Sequence, residues 1–304
     1  MKKYFVGVGS LVSVLLVILV LSFIPFKTLN TDKKPIRVIT GLNFYGEVAQ
    51  QVAGKYGKVT SLIDNASVDP HDYQPGTAQA KQVGDANVVI ENGLGYDEWL
   101  NKITNSDAQH HTQKVVNVGR LMGKQTGDNE HLWYEPTTMK KLAQDLAVQY
   151  GKLDPAHQSY YRKNSQKYIN SLKPLEQETA RIKANINPAN NKVAVSEPVF
   201  DYSLSALGYQ VMDQHFEKAI EDDNDPSPQD IQQLQAVIKN HEIAFFVENS
   251  QTNAQVVNGL VKLARENHVP VLKVTETKPN SAKSYQEWML SQYRALSRIQ
   301  QGEK

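Results

Sequence analysis

The sequence predicts an α/β protein of two similar lobes with mainly parallel sheets, joined by a long connecting helix, with a cleft between the lobes. Short β-branched runs alternate with amphipathic helical runs, which is typical of parallel strand pairing. This alternation occurs twice, on either side of a stretch from Pro155 to Ile186 that is almost free of turn residues. The 304 residues are enough for two hydrophobic cores of ordinary size. Clefts between such lobes are common ligand sites.

The first series of elements predicts an N-terminal α/β lobe over residues 36–153. A helix is expected at Tyr45–Tyr56. A second helix, Thr138–Tyr150, closes the lobe, because its apolar residues recur at helical spacing and Pro136 suits its first turn. The expected strands are Ile36–Thr40, Val59–Ile63, Ala86–Glu91 and Val115–Val118.

The stretch 154–187 is predicted to be the connecting helix. Its apolar residues keep a roughly heptad rhythm, and at 1.5 Å per residue a helix over Pro155–Ile186 would be about 45 Å long. Pro174 lies inside it and is expected to kink or divide it.

A second α/β series predicts the C-terminal lobe, residues 188–304. Ser227 and Pro228 are typical of a helix start, since serine caps the first turn and proline suits the first helical position. The other expected elements are strands at Val193–Ser196, Tyr209–Met212, Ile243–Glu248 and Val269–Thr275, and helices at Asn253–Glu266 and Tyr285–Ile299.

The N-terminal 29 residues are interpreted as an export signal or an N-terminal membrane anchor, followed by a tether over 30–35. Lys2 and Lys3 precede an apolar run over Phe5–Phe26, and no small-x-small cleavage site follows it. The rest of the chain is expected outside the cytoplasm, at the cell surface. It would be attached to the cytoplasmic membrane by this segment, or secreted after its cleavage.

Composition excludes several functional classes. Apolar residues make up 40% and charged residues 21%, which is typical of a chain that folds in water. The net charge of +1 and the lack of a long basic stripe disfavour nucleic-acid binding. The chain has no cysteine, so disulfides, thiolate metal sites, thiol catalysis and cysteine lipidation are excluded. A metal site would have to use His, Asp and Glu.

Two histidines stand in restricted local contexts. His71 lies in DPHDYQP (69–75), where two prolines limit the backbone and neighbouring aspartates could orient the ring. His131 lies in EHLWYEP (130–136), just before a predicted helix. Locally, each could equally be a loop histidine or a helix cap. No His-Glu-x-x-His motif occurs, and His110 and His111 are interpreted as part of a solvated loop.

These two motifs, the strand ending in Ser196-Glu197 and the connecting helix together resemble the metal-binding receptors of bacterial zinc and manganese ABC transporters, over about residues 36–300. The resemblance implies one cation in the cleft, with two ligands from each lobe. His71 and His131 match the first-lobe ligands, and Glu197 matches the third ligand.

The fourth ligand departs from the pattern that the resemblance implies. Where an aspartate is expected before Ser284-Tyr285, the chain has Lys283, a cation that a metal would repel. Glu276, at the end of the last predicted strand, is the preferred candidate; Glu248 or water are the alternatives.

The resemblance implies an extracytoplasmic solute-binding protein that captures one divalent transition metal ion, zinc or manganese, as cargo and delivers it to an ABC transporter permease. A monomer without enzymatic activity is expected. Two other functions are left open: a surface adhesin with a structural metal, and a membrane-tethered metallohydrolase. The stiff connecting helix predicts a small tilt or local loop motion on opening rather than wide closure.

Overall fold

Each half of the chain forms a four-stranded parallel sheet flanked by helices. The computed structural model describes residues 34–106 and 113–302. The strand orders are β2-β1-β3-β4 in the first sheet and β6-β5-β7-β8 in the second, and all pairs are parallel. The predicted fold class is therefore confirmed.

The elements of the first lobe are β1 (Ile36–Leu42), α1 (Asn43–Ala53), β2 (Gly57–Ile63), α2 (Thr77–Gly84), β3 (Val88–Glu91), α3 (Glu98–Ser106), β4 (Lys114–Asn117), α4 (Val118–Leu121) and α5 (Thr138–Leu153). The connection consists of α6 (Gln158–Ser171) and α7 (Lys173–Ala184). The elements of the second lobe are β5 (Lys192–Val195), α8 (Asp201–Leu207), β6 (Gln210–Val211), α9 (Gln214–Glu221), α10 (Pro228–Lys239), β7 (Phe246–Asn249), α11 (Gln255–Glu266), β8 (Val271–Val274) and α12 (Tyr285–Gln300).

The connection is helical but divided, as Pro174 predicts. α6 ends at Ser171 and α7 begins at Lys173, with Pro174 in its first turn. Proline is tolerated there because the first helical N–H groups need no partner within the helix. α6 packs against α1 and α5 of the first lobe, and α7 packs along α12 of the second, so the connection belongs to the cores of both lobes.

One hydrophobic core runs through both lobes. The ring of Phe44 lies 4.9 Å from that of Trp133 and 5.7 Å from that of Trp288, which belongs to α12. The Tyr285 hydroxyl donates to the Trp133 carbonyl at 2.6 Å, again from one lobe to the other. Aromatic packing and a hydrogen bond thus join the two lobes behind the cleft. The predicted small opening motion stays a prediction.

Several elements were not predicted from the sequence. They are helices of four to nine residues, α2, α3, α4, α8 and α9. Helices of this length have weak local signals and form through tertiary packing. The predicted lobe boundaries stay predictions.

Some sequence predictions lie outside the described residues. They concern the signal or anchor over 1–29, most of the tether, and His110 and His111. Within 34–106 and 113–302, no helix combines the length and apolarity needed to cross a bilayer.

Candidate metal site

The predicted ligands lie beyond the carboxyl ends of strands. Parallel strands all end at the same edge of their sheet, which is where ligand groups gather in α/β folds. His71 lies on the loop after β2, Glu197 two residues after β5, and Glu276 two residues after β8. His131 precedes a short 3₁₀ turn over Leu132–Tyr134. The two edges face one another at the lobe boundary.

His71 is held by its loop and left accessible. Its backbone N–H donates to Asp69 Oδ1 at 2.8 Å, and the Pro70 carbonyl accepts a 3.0 Å bond from Trp99 Nε1. Asp69 thus fixes the backbone of this loop. The ring packs edge-on against Tyr96, with centroids 4.6 Å apart, and the side chain is 38% exposed. Its Nε2 lies 3.9 Å from Glu221 Oε1.

His131 is fully buried, and its neighbours fix its tautomer. Asn129 Oδ1 accepts the backbone N–H of His131 at 2.9 Å, and Asn129 Nδ2 donates to the Pro198 carbonyl at 2.6 Å. These two bonds orient the amide, so its oxygen faces His131 Nδ1, also 2.9 Å away. Nδ1 must therefore carry the proton, and Nε2 presents a lone pair.

The His131 Nε2 atom has no hydrogen-bond partner among the described residues. Burial above all, and then the charge of His71, lowers the pKa of His131 to about 3. The ring is therefore neutral at physiological pH, the state in which imidazole binds metals. A buried, unpartnered acceptor is costly unless something binds it.

Tyr96 lies at the centre of the cluster. Its loop is tight: Asp97 accepts the N–H groups of Asn92 and Gly93 at 2.7 and 2.9 Å, and Gly93 and Gly95 have positive φ, which glycine adopts without strain. The buried Tyr96 hydroxyl donates to Glu276 Oε1 at 2.6 Å, across the lobe boundary.

Glu276, from the second lobe, therefore contacts Tyr96 of the first lobe. Burial raises its pKa to about 7, helped by the negative charges of Glu197 and Asp69, while the bond from Tyr96 acts in the opposite direction. A cation bound nearby would favour the ionised form of Glu276 and lower this pKa.

Glu197 lines the same polar cavity as Glu276, a space of about 1050 Å³. Asn249 Nδ2 donates to Glu197 Oε2. Burial raises its pKa, hydrogen bonds from Asn249 and Thr252 lower it, and the charges of Asp223 and Asp69 raise it again. One Glu197 oxygen is thus held by the protein.

Two further carboxylates belong to the cluster. His71, Glu130 and Glu221 each offer a ligand atom, and these atoms all lie within 4.8 Å of one another; no other group of three or more His, Asp or Glu in the described parts of the chain does so. Glu221 Oε1 is also 3.7 Å from His131 Nε2. Burial raises the pKa of Glu221, as do the charges of Glu130, Glu276 and Glu197.

The structure thus brings both predicted histidines together around Glu221, and places Glu276 and Glu197 where their charges act on that same carboxyl group. Glu276, Glu197 and His131 do not join the 4.8 Å group. The assignment of the four predicted residues as ligands stays a prediction.

Lys283 and Glu248, the other two positions considered for the fourth ligand, have different surroundings. Lys283 is exposed at the start of α12, where its N–H donates to Glu287 Oε2 at 3.0 Å. Glu248 pairs with Arg265 at 3.5 Å and Lys273 at 3.8 Å, so two cations already neutralise it.

Sequence reasoning missed Tyr96, Glu130 and Glu221. The turn after β3, with glycines on both sides of Leu94, indicates a tight loop at a strand's carboxyl end and could have drawn attention to Tyr96. Glu221 ends a helix of eight residues in an acidic run, and nothing local separates it from its acidic neighbours.

The two lobes and the His and Glu cluster at their boundary define a bilobed α/β protein with an interlobe site. The family described as "Zinc-uptake complex component A periplasmic" matches residues 38–299. The chain belongs to this family, and the predicted resemblance is confirmed.

Two relatives and one solved structure illustrate the likeness. The manganese-binding lipoprotein MntA of Halalkalibacterium halodurans is 23% identical over 60% of this chain, which spans 61% of that relative's length. The manganese-binding lipoprotein MntA of Bacillus subtilis is 25% identical over 72% of each chain. The structure of the solute-binding protein FpvC from Pseudomonas aeruginosa in complex with Mn²⁺ is similar with a TM-score of 0.70 at 22% identity, covering 89% of this chain and all of that one.

Proposed function

We propose that this protein is the extracytoplasmic receptor of a metal importer, which holds one divalent transition metal ion at the lobe boundary and passes it to a membrane permease. The proposal rests on one observation above all. The Nε2 atom of His131 is fully buried, neutral and without a hydrogen-bond partner among the described residues, and it faces the Glu221 carboxyl group of the other lobe. Membership of the zinc-uptake family supports it.

The donor chemistry suits zinc and manganese. Neutral imidazoles favour zinc, and carboxylates favour manganese, while the lack of cysteine removes the thiolates that select copper(I). His71, His131, Glu197 and Glu276 would supply two nitrogens and two carboxylates, and the two negative charges would neutralise a divalent ion as the cleft excludes water.

The proposal includes an attachment and a partner. The apolar N-terminal segment, flanked by Lys2 and Lys3, would hold the receptor at the outer face of the cytoplasmic membrane, where a permease accepts the ion. The two manganese-binding relatives are named lipoproteins, whereas this chain has no cysteine to carry a lipid. A protein anchor would replace the lipid in that role.

Metal analysis tests the proposal directly. Protein purified without chelator should carry about one equivalent of a divalent transition metal, and chelator-treated protein should rebind it in calorimetry. His71→Ala and His131→Ala should each weaken rebinding, whereas His215→Ala, an exposed residue on α9, should not. Wild-type protein that binds neither Mn²⁺ nor Zn²⁺ would reject the proposal.

A carrier and a metallohydrolase would differ in the bound state. A carrier fills the coordination positions with protein ligands, whereas a hydrolase keeps one open for water beside a general base. Spectroscopy of the Co²⁺-substituted protein separates the two, because an exchangeable water ligand responds to added azide. We expect no response.

A further inference from the structure

We infer that Glu221, at the end of α9, is a direct ligand of the cargo ion and that it shifts the site toward ions that accept five or six nitrogen and oxygen donors. The inference rests on the proposed function and adds to the four ligands that the family resemblance implies. The spacing of the donor atoms around Glu221 carries it.

The distances around Glu221 Oε1 are too long for hydrogen bonds and suit an ion bound between these atoms. This oxygen is 3.7 Å from His131 Nε2 and 3.9 Å from His71 Nε2. Both separations exceed hydrogen-bond length. Two donors each about 2.1 Å from one metal ion lie ~3.0 Å apart at neighbouring octahedral positions and ~3.4 Å apart in a tetrahedron. These two separations would have to shorten by ~0.3–0.5 Å for a tetrahedral ion and by ~0.7–0.9 Å for neighbouring octahedral positions. The two histidines, which do not belong to one 4.8 Å group, would also have to approach each other. Binding of one ion to all three side chains thus requires the site to close locally around it.

Glu221 is hydrogen-bonded to Glu130 but lies where a negative charge is costly. Its side chain is 92% buried, with an exposed fraction of 8%, and its carboxyl group lies beside the acidic side chains of Glu130, Glu276 and Glu197. It occupies the last residue of α9, where the helix dipole opposes a negative charge. A cation bound between these groups would relieve both costs.

A second observation points into the same space. His131 Nε2 is buried and without a hydrogen-bond partner in the described chain, and Glu221 Oε1 is the carboxylate oxygen with which it forms an ion-pair-range contact. The gap between this acceptor and this carboxylate is too long for a hydrogen bond. A metal ion bound between them would contact both atoms.

The added ligand has a consequence for which ion binds. Zinc in protein sites is mostly four-coordinate, and the two histidines with Glu197 and Glu276 would already satisfy it. Glu221, with Glu130 beside it, raises the number of available oxygen donors, and carboxylate-rich sites of higher coordination number suit manganese. Glu221 should thus favour manganese relative to zinc.

Affinities of the full chain for Mn²⁺ and Zn²⁺ test this. Glu221→Gln keeps the shape and removes the charge, and Asp222→Asn is the matched control, since Asp222 is exposed and paired with Lys218. We expect Glu221→Gln to weaken Mn²⁺ binding about tenfold or more, and Zn²⁺ binding less, while Asp222→Asn changes neither. Mn²⁺ electron paramagnetic resonance should show an altered spectrum in Glu221→Gln alone.

The outcomes separate the inference from the proposed function. Wild-type protein that binds no metal would end both. Wild-type binding with unchanged or tighter Mn²⁺ binding in Glu221→Gln would overturn the role of Glu221 and leave the receptor function standing, because Glu221 would then not be a ligand of the ion. If the Gln variant has a lowered Tm, Glu221→Asp, which keeps the charge and withdraws the oxygen, gives the same comparison.

Discussion

The two halves of the site differ in how firmly the protein holds their ligands. On the first lobe, the His71 ring packs against Tyr96, and His131 has a fixed tautomer set by Asn129. On the second lobe, Glu197, Glu221 and Glu276 come from three separate elements and act on one another's pKa values. The first lobe offers two imidazole nitrogens, one of them in a fixed tautomer, and the second lobe offers more carboxylates than one ion needs.

This difference indicates that the two lobes have different roles in binding. A divalent ion is neutralised by two carboxylates, so the second lobe's surplus lets the occupant decide which oxygens bind. The imidazoles, in contrast, fix where the ion lies. Loss of a first-lobe histidine should therefore strongly weaken binding of every metal, whereas loss of a second-lobe carboxylate should have a graded effect that depends on the metal.

The largest effect is expected for His131→Ala. Loss of residues that only orient a ligand typically costs 10–100-fold in metal affinity, so loss of this ligand should cost at least about 100-fold for both Mn²⁺ and Zn²⁺. Calorimetry on chelator-treated protein measures it. A decrease that affects only one of the two metals would mean that the firmly held half does not fix the position of the ion.

A somewhat smaller effect is expected for Asn129→Ala. It leaves His131 in place but removes the acceptor that fixes its tautomer and the 2.6 Å bond to Pro198. Affinity should fall about 10–100-fold. Asn129→Asp keeps an acceptor for Nδ1–H and should restore most of it; failure to do so would show that the bond to Pro198, and not the tautomer, matters.

The second-lobe carboxylates should give graded effects. Glu276→Gln and Glu197→Gln should each weaken Mn²⁺ binding by about tenfold, because each removes one charge while another carboxylate remains to replace it. Glu248→Gln is the control, since that side chain is paired with Arg265 and Lys273. If either variant lost binding as completely as His131→Ala, the remaining second-lobe carboxylates could not replace the lost one.

The smallest effect on affinity should come from Tyr96→Phe. The ring that packs on His71 stays, and only the hydroxyl bond to Glu276 is lost. A hydrogen bond contributes about 1 kcal/mol, which corresponds to about fivefold in affinity. The loss should disappear in a Tyr96→Phe, Glu276→Gln double variant compared with Glu276→Gln, because the partner is then already changed.

The same contrast explains how far the sequence predicts the site. His71 and His131 lie in motifs that contain prolines, and Glu197 and Glu276 follow predicted strands, so local patterns drew attention to these positions. The family resemblance, and not the local pattern, implied that His71, His131 and Glu197 are ligands, and the assignment of all four stays a prediction. The alternation of strands and helices predicted both parallel sheets. The division of the connecting helix followed from Pro174.

Glu221 could not be predicted because its position depends on tertiary structure alone. It follows Ile220, a core residue at helical spacing from Phe216, but α9 is only eight residues long and the acidic residues that follow resemble a solvated surface. Only the packing of α9 against the second sheet directs this one carboxylate toward two histidines about 90 and 150 residues earlier in the chain.

A last prediction tests whether high carboxyl pKa values belong to the site or to burial in the second lobe. Asp213, which accepts the N–H of Val195 at 3.2 Å, lies outside the cluster, and burial raises its pKa from 3.8 to about 8. Between those pH values the folded protein keeps a proton that the unfolded chain has lost, so this group's contribution to stability falls as pH rises. Asp213→Asn cannot ionise and escapes this loss.

The Tm of the variant should therefore rise relative to that of the wild type as pH rises from 5 to 8, with metal affinity unchanged. Each kcal/mol of difference in the free energy of unfolding corresponds to about 2–4 °C. Thermal unfolding of the metal-free proteins at both pH values measures the difference, and Asp222→Asn should show none. A Tm difference between variant and wild type that is the same at pH 5 and pH 8 would mean that the carboxylate form of Asp213 is stabilised by its bonds to Val195. In that case burial alone would not explain the raised pKa values of Glu221 and Glu276, and the mutual repulsion of the site carboxylates would have to dominate.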